Sequence, residues 1–351
     1  MDDRTFNLSL FICRAQPLNL GHCYVISQAL EYADKVCILL GSSFTPRSYR
    51  NPWLFEERKE MILNTFKHVQ DRIVVLPLED CAYNDAQWIL NVQHSVSEVI
   101  EAQHTSRYPR ITLIGHNKDN SSYYLKLFPQ WASINVPAYT SEELIINSTD
   151  IRDHFFKRDN DLFLLNSEHF LPEAVVEFLR NFSKTSTFND IVDEYEFIQS
   201  YKKSWETAPY TPIFVTGDAV VIQSGHVLLV KRKARPGKGL WALPGGFIRP
   251  DEKIEDGIIR ELREETKIKV PIPVLKGSIV STRVFDNPFR SSRGRTITHA
   301  ALFNLAPATS LAHVKGSDDA EKAQWVPLAD VKREHLFEDH KDIIDSMSAI
   351  L

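Results

Sequence analysis

The sequence predicts two α/β domains in tandem, a doubly wound parallel sheet followed by a smaller α+β unit. Three observations carry that prediction. Strand-like and helix-like stretches alternate through the first half. The pattern breaks at a polar segment, Ser183–Asp190. Beyond it lies a strand-rich stretch interrupted by one acidic amphipathic helix.

In order, Phe6–Cys13 reads as a strand, Gly21–Ala33 as a helix and Lys35–Gly41 as a buried strand. Leu54–Val69 reads as a helix, Arg72–Leu76 as a strand, Ala86–Ala102 as a helix and Arg110–Gly115 as a strand. Phe163–Asn181 looks helical. This βαβα order places ligands at the carboxyl ends of the strands. Asp190–Trp205 reads as a connecting helix, and Pro209 and Pro212 then break the chain. Strands follow at Ile213–Ile222 and His226–Arg232, a helix at Ile254–Lys267, strands at Ile279–Phe285 and Thr296–Leu305, and a terminal helix after Glu338. The expected division is a first domain over 1–183, a linker helix over 184–208 and a second domain over 209–351.

With 351 residues the chain exceeds one ordinary core, and 43% hydrophobic and 25% charged residues suit a folded soluble protein. A net charge of −5 argues against a nucleic-acid partner, which needs clustered Lys and Arg. The four cysteines, Cys13, Cys23, Cys37 and Cys81, form no CxxC pair, so reduced thiols are expected. No secretory signal or membrane span is read, and a cytoplasmic location is expected. Oligomeric state is left open, a homo-oligomer included.

The strongest chemical signal is Gly246-x5-Glu252-x7-Arg260-Glu261-Leu262-Arg263-Glu264-Glu265. On a helix, Glu261, Glu264 and Glu265 stand at i, i+3 and i+4 and share a face. Ile254, Ile258 and Leu262 form the adjoining apolar stripe. Like charges at that spacing cost roughly 0.2–0.5 kcal/mol per pair, which Arg260 and Arg263 offset in part. A hard divalent cation offsets more, and Mg²⁺ takes oxygen ligands while keeping waters and phosphates. Such an ion suits hydrolysis of a phosphoryl bond. Gly245-Gly246 after Pro244 is expected to let the backbone turn tightly.

The pattern resembles the Nudix box, Gx5Ex7REUxEExGU, with Lys267 where the family usually has Gly. The resemblance implies that Glu261, Glu264 and Glu265 bind Mg²⁺ or Mn²⁺, and that Glu252 and Arg260 support the loop–helix geometry. Trp241 and Phe285 are candidates to stack on a base, with core packing as the alternative. Arg290, Arg293 and Arg295 lie in a Gly/Ser-containing stretch suited to a mobile anion-binding loop.

In the first half, Arg14-Ala15-Gln16-Pro17-Leu18-Asn19-Leu20-Gly21-His22 links a strand to a helix N-terminus, where free N–H groups attract anions. His22 can donate to a phosphate there. Gly115-His116-Asn117-Lys118-Asp119 ends a strand, so Lys118 sits at the expected ligand edge. Ser148-Thr149-Asp150-Ile151-Arg152 reads as a helix start, with Ser148 or Thr149 as cap and Arg152 able to reach a triphosphate.

The first segment resembles the GRFQPxHxGH motif of archaeal-type nicotinamide mononucleotide (NMN) adenylyltransferases. Ser-Thr-x-Ile-Arg resembles their C-terminal ATP motif. Gly115–Asp119, Ser121-Ser122-Tyr123-Tyr124 and Phe128-Pro129-Gln130-Trp131 look like the bacterial branch of that family. Asn51-Pro52-Trp53 and Trp88 fit as well, and in that family a Trp near this position lies beside the nicotinamide. The order of the two motif sets resembles the bifunctional NMN adenylyltransferase/Nudix hydrolase family. The resemblance implies a Rossmann-like nucleotidyltransferase domain joined to a Nudix domain. It implies that ATP and NMN yield NAD and diphosphate, and that ADP-ribose yields AMP and ribose 5-phosphate. It also implies substrate contacts from Arg14, Gln16, Asn19, Gly21, Trp88, Gly115, Lys118, Asp119, Ser148, Thr149 and Arg152, and in the second domain from Trp241, Arg293 and Arg295.

Three departures stand out. Cys13 replaces the motif's Gly, Ala15 its Phe and Asn19 its first His. Asn donates a hydrogen bond but carries no charge, a loss of about 1–2 kcal/mol, or roughly ten- to thirtyfold in rate. Two other readings are therefore weighed. One is a Nudix hydrolase whose first domain only binds nucleotide. The other is an ADP-ribose-sensing regulator, which would need a basic DNA-binding element. The segment after Asp330 carries Glu334, Glu338, Asp339, Asp342 and Asp345 instead.

Overall fold

A computed structural model describes residues 5–102, 109–116, 124–141, 144–145, 147–157, 163–164, 166–317 and 320–351. The chain divides into two compact units, Met1–Val192 and Asp193–Leu351.

The first unit is built on Phe6–Cys13 (β1), Leu20–Tyr32 (α1), Ala33–Leu40 (β2), Phe55–Thr65 (α2), Ile73–Pro77 (β3), Asp85–Ala102 (α3), Ile111–Gly115 (β4) and Ala132–Asn135 (β5). A short ladder pairs Thr140–Ser141 (β6) with Leu144–Ile145 (β7), and Ser148–Phe155 (α4) and Glu173–Phe182 (α5) follow. The five-stranded sheet runs β3-β2-β1-β4-β5, and every pairing is parallel. The order reverses between β1 and β4, so the crevice beyond Cys13 and Gly115 is the ligand position such sheets offer. Apolar residues on alternate positions of β1, Leu8, Leu10 and Ile12, pack with Val92, Val96 and Val99 of α3.

Two predicted helices are shorter than expected. The one over Leu54–Val69 ends at Thr65 and passes into a 3₁₀ segment, Lys67–Arg72, with a non-helical Val69. The continuous helix expected over Phe163–Asn181 is interrupted: a 3₁₀ turn at Ser167–His169 precedes α5, and Pro172 caps α5. Proline lacks an N–H and drives its predecessor out of helical geometry, so the helix restarts there.

The helix Ser186–Lys203 (α6) carries the chain from one unit into the next. The second unit contains Phe214–Gln223 (β8), His226–Arg232 (β9), Trp241–Ala242 (β10), Gly245–Phe247 (β11), Ile254–Thr266 (α7), Ile272–Gly277 (α8), Ile279–Phe285 (β12), Thr296–Leu305 (β13), Ala320–Pro327 (β14) and His340–Ser348 (α9). Its sheet is mixed. β8 and β13 run parallel in the middle, and the remaining pairings are antiparallel. Ile258 and Leu262 of α7 are buried against Ala219, Val221 and Phe303 of the central strands. This anchors the acidic helix to β8. Among the described residues no helix is long and apolar enough to cross a membrane.

Candidate functional site

At the carboxyl end of β1, Ala15 adopts a left-handed φ of 47° and is buried. Gln16 turns inward, and its amide makes two bonds to the backbone of Trp53, at 2.8 and 3.1 Å. Asn19 caps α1: its Oδ1 accepts from His22 N at 3.0 Å, while Asn19 N donates to His22 Nδ1 at 3.2 Å. Asn19 Nδ2 also donates to Ser148 Oγ at 3.0 Å. Gly21 lies in the first turn of α1 beside Asn19. The cap of α4 is Asn147, whose side chain accepts from Thr149 N, and not Ser148 or Thr149 as expected. Ser148 is turned toward Asn19 and the Pro17 carbonyl instead.

Burial lowers the His22 pKa to about 4, so the imidazole is neutral at pH 7. Nδ1 accepts the capping bond, which leaves the ring proton on Nε2. His22 thus offers a neutral N–H and not a preformed cation. Arg152 is nearly buried and is used structurally. Its Nη1 donates to the Gln16 carbonyl at 2.6 Å and its Nη2 to Thr149 Oγ1 at 3.2 Å. Burial, then the neighbouring Arg14 and Arg50, lower its pKa to about 10. It stays charged, and its Nε lacks a hydrogen-bond partner. Arg14 is exposed at the loop surface.

The structure therefore gathers Arg14, Gln16, Asn19, Gly21, His22, Ser148, Thr149 and Arg152 around one loop and two helix starts. Gly115 ends β4, where an added Cβ would press on Leu125 and Tyr124. Trp88 packs edge-on to Tyr124 and near Phe128, as part of the apolar layer under α3. Lys118 and Asp119 lie outside the described residues. Sequence reasoning missed Arg58. It is fully buried and donates to the carbonyls of Arg14 and Gly41 at 2.6 and 2.9 Å, holding the ends of β1 and β2 together. Within α2 nothing in its spacing marks it as different from a surface arginine.

In the second unit, Glu261 and Glu265 face a cavity of about 260 Å³ that is also lined by Asp218, Arg232, Arg293 and Glu338. Glu264 stands apart. It is 41% exposed against 17% for Glu261, and it accepts from Arg260 Nη1 at 2.9 Å. Arg260 also grips Glu252 through two bonds of 2.9 and 2.6 Å and Glu261 through one of 2.7 Å. The Arg260 hydrogen bonds hold the Glu252 carboxyl at a pKa of about 2. Glu265 accepts from Gly245 N at 3.0 Å, and burial pushes its carboxyl up to about 8, with Glu261 and Asp218 adding repulsion. Burial likewise raises Glu261.

Among the described residues no three acidic, His or Cys side chains already stand together as an ion site. The donor set nevertheless fits a hard divalent cation. Glu261 and Glu265 share a cavity, repel one another, and gain from any positive charge placed between them. Recruiting Glu264 requires it to leave Arg260, which here supplies the positive charge to Glu261 and Glu264.

Gly245 and Gly246 lie in β11 with no left-handed φ, so they do not serve as a tight turn. They serve close approach. A Cβ on Gly245 would stand 2.3 Å from the Gly217 carbonyl oxygen, and one on Gly246 2.7 Å from Glu261 Oε1. Lys267 ends α7 at φ 46°, the left-handed exit where glycine is usual.

Several expected contacts fall elsewhere. Phe285 is completely buried and cannot stack on a base. Trp241 is half-buried with Lys322 over its ring, and its strand neighbour Ala242, not Trp241, lines the cavity. The expected mobile loop is tied down at two points. Arg290 is buried in a two-bond pair with Asp339, and Arg295 donates to the Asp286 carbonyl. Arg293 alone of the three faces the cavity unpaired, lying 5.2 Å from the Phe247 ring with its Nε unbonded.

Comparison with known proteins matches both halves. Residues 10–154 match the cytidylyltransferase-like family and residues 214–347 the NUDIX domain. The chain is 33% identical over 191 residues to a nicotinamide/nicotinic acid mononucleotide adenylyltransferase of Acinetobacter baylyi, covering 54% of this chain and 94% of that one. It is 32% identical over 130 residues to an ADP-ribose pyrophosphatase of Methanocaldococcus jannaschii, covering 37% and 70%. A crystal structure of a bifunctional NMN adenylyltransferase/ADP ribose pyrophosphatase from Francisella tularensis, complexed with AMP and an Mn ion, superposes with a TM-score of 0.89 at 35% identity over 99% of both chains. With the two sites in this order and the likeness running from end to end, the chain belongs to the bifunctional NMN adenylyltransferase/ADP ribose pyrophosphatase family.

Proposed function

We propose that the first unit transfers adenylyl from ATP to NMN, giving NAD and diphosphate, and that the second hydrolyses ADP-ribose to AMP and ribose 5-phosphate. One observation carries the reading: the likeness to the Francisella enzyme spans 99% of both chains and so takes in both sites.

In the first site the NMN 5′-phosphate attacks the α-phosphorus of ATP in line, and the protein's task is positioning and charge stabilisation. The Nε2–H of His22 donates to phosphate oxygens. Arg14 and Arg152 supply positive charge beside the loop, and Lys118 is proposed to add to it. Asn19 acts through the loop: capping α1 and holding Ser148, it fixes where the free N–H groups of both helix starts point.

In the second site Glu261 and Glu265, with Glu264 once released from Arg260, hold Mg²⁺ or Mn²⁺. Such an ion neutralises the diphosphate and lowers the pKa of water. Arg293, which lines the same cavity, binds the diphosphate.

The test is to incubate the full chain and Mg²⁺ with ATP plus NMN, or with ADP-ribose, and identify the products. NAD formation should fall sharply in His22→Ala. Binding of ATP and NMN without NAD formation would leave the first unit as a nucleotide-binding module only. Glu264→Gln and Glu265→Gln should lower ADP-ribose hydrolysis strongly, and unchanged turnover would defeat the second assignment.

A further inference from the structure

Glu338 occupies a backbone conformation that glycine, not glutamate, prefers. Its φ is 45°, in the left-handed region. The residues on either side explain how it is kept there. Phe337 N donates to the Trp241 carbonyl at 2.8 Å, and its buried ring lies 4.0 Å beneath the Arg232 guanidinium. Asp339 is gripped by Arg290 through two bonds of 2.9 Å. His340 Nδ1 accepts from Leu243 N at 2.8 Å. With both neighbours pinned, Glu338 is presented to the cavity that Glu261 and Glu265 line. Its Oε1 accepts from Ser292 N at 3.1 Å, which orients the carboxylate. Strain held in place by its surroundings at the wall of a polar cavity marks a functional position.

We propose that Glu338 is the proton acceptor of the hydrolase, taking a proton from the water that attacks the diphosphate; the proposal rests on the ADP-ribose reading above. As the water oxygen forms its bond to phosphorus, one water O–H bond breaks and the proton passes to a Glu338 carboxylate oxygen. The bond from phosphorus to the bridging oxygen breaks in the same displacement, and that oxygen leaves with its electron pair on the second phosphate. Nothing is oxidised or reduced. The carboxyl suits this work. Burial raises its pKa above the ordinary glutamate value, with Asp339 adding to the rise and Arg293 and Arg290 opposing it. Glu338 is also free of the Arg260 fork that engages Glu261 and Glu264.

The experiment compares the wild-type chain with Glu338→Gln and Glu338→Gly for ADP-ribose hydrolysis in Mg²⁺, for thermal unfolding with and without Mn²⁺, and for NAD formation. The expected result in both variants is a kcat loss on the order of a hundredfold or more, with KM changed less than about threefold. Melting temperature should be unchanged in Glu338→Gln and raised in Glu338→Gly, where the left-handed backbone is relaxed. The rise in melting temperature on adding Mn²⁺ should persist, and NAD formation should be unaffected. If Glu338→Gln keeps most of its kcat, the proposal is overturned. It is also overturned if the loss falls on KM, which makes Glu338 a substrate ligand, or if the Mn²⁺ response disappears, which makes it an ion ligand. A wild-type chain that does not hydrolyse ADP-ribose overturns the underlying reading and this proposal with it, whereas an active wild type with an active Glu338→Gln overturns this proposal alone.

Discussion

Asn19 donates through Nδ2 to Ser148 Oγ at 3.0 Å while its Oδ1 caps α1, so one side chain joins helix starts 129 residues apart in sequence. The residue that departs from the family motif is therefore an organising element of the loop.

Replacing Asn19 separates its two duties. Asn19→Ala should lower stability by about 1–2 kcal/mol through the lost cap. Asn19→Asp should keep the cap and lose only the donation to Ser148, so its stability should fall between wild type and Asn19→Ala. Urea unfolding of the three chains checks the order, and equal stabilities would remove the cap from the account.

The His22 shift gives a pH dependence with a definite sign. Its folded pKa of about 4 lies below the unfolded value of 6.5, so between these limits the unfolded chain binds the extra proton. The stability His22 contributes is present above about 6.5 and is lost as pH falls toward 4. Unfolding free energies at pH 7 and pH 5 should differ less in His22→Gln than in wild type. An equal difference would place His22 in water.

Glu265 behaves in the opposite sense in metal-free protein. Its carboxyl is raised from 4.5 to about 8, so the folded state holds a proton that the unfolded state has released. Its contribution is full below about 4.5, declines as pH rises, and is gone above about 8. In chelator at pH 9, Glu265→Gln should therefore melt higher than wild type. On adding Mg²⁺ or Mn²⁺ the order should reverse, since wild type gains an ion and the variant does not. Thermal scans with and without metal decide it.

Lys267 is held at φ 46° and ψ 32° at the end of α7. Lys267→Gly should raise stability by about 1 kcal/mol, because glycine meets no Cβ penalty in that conformation. Chemical unfolding measures it, and a loss of stability would mean that contacts of the lysine outweigh the strain.

Much of the fold was legible because period and punctuation agreed. β1, β9, β12 and β13 fall on the predicted residues. The short strands β5, β10 and β11 were not read, since four, two and three residues carry no measurable alternation. The acidic helix was legible down to its apolar stripe. Arg260 was legible as an offset to the acids; that it spans Glu252, Glu261 and Glu264 at once was not, because spacing shows which residues share a face and not how one guanidinium divides among several partners. For Phe285 the core-packing alternative is the one realised, and Arg290 meets Asp339 in place of an anion: residue type alone does not tell whether an aromatic or an arginine meets solvent, a base or an aspartate. Arg58 and Glu338 needed three dimensions, since the Arg14, Gly41 and Ser42 carbonyls that Arg58 holds and the Ser292 N–H that orients Glu338 lie 16 to 46 positions away.

The two adjoining glycines of β11 guard different things. A methyl group at 245 would strike the main chain of β8, and the sheet itself would have to give. A methyl group at 246 would strike only the far end of Glu261, which can swing aside. On the proposal that Glu261 holds the ion, one added carbon at the second position leaves a sound protein with a disarmed cleft, a place where chemistry is lost while architecture is kept.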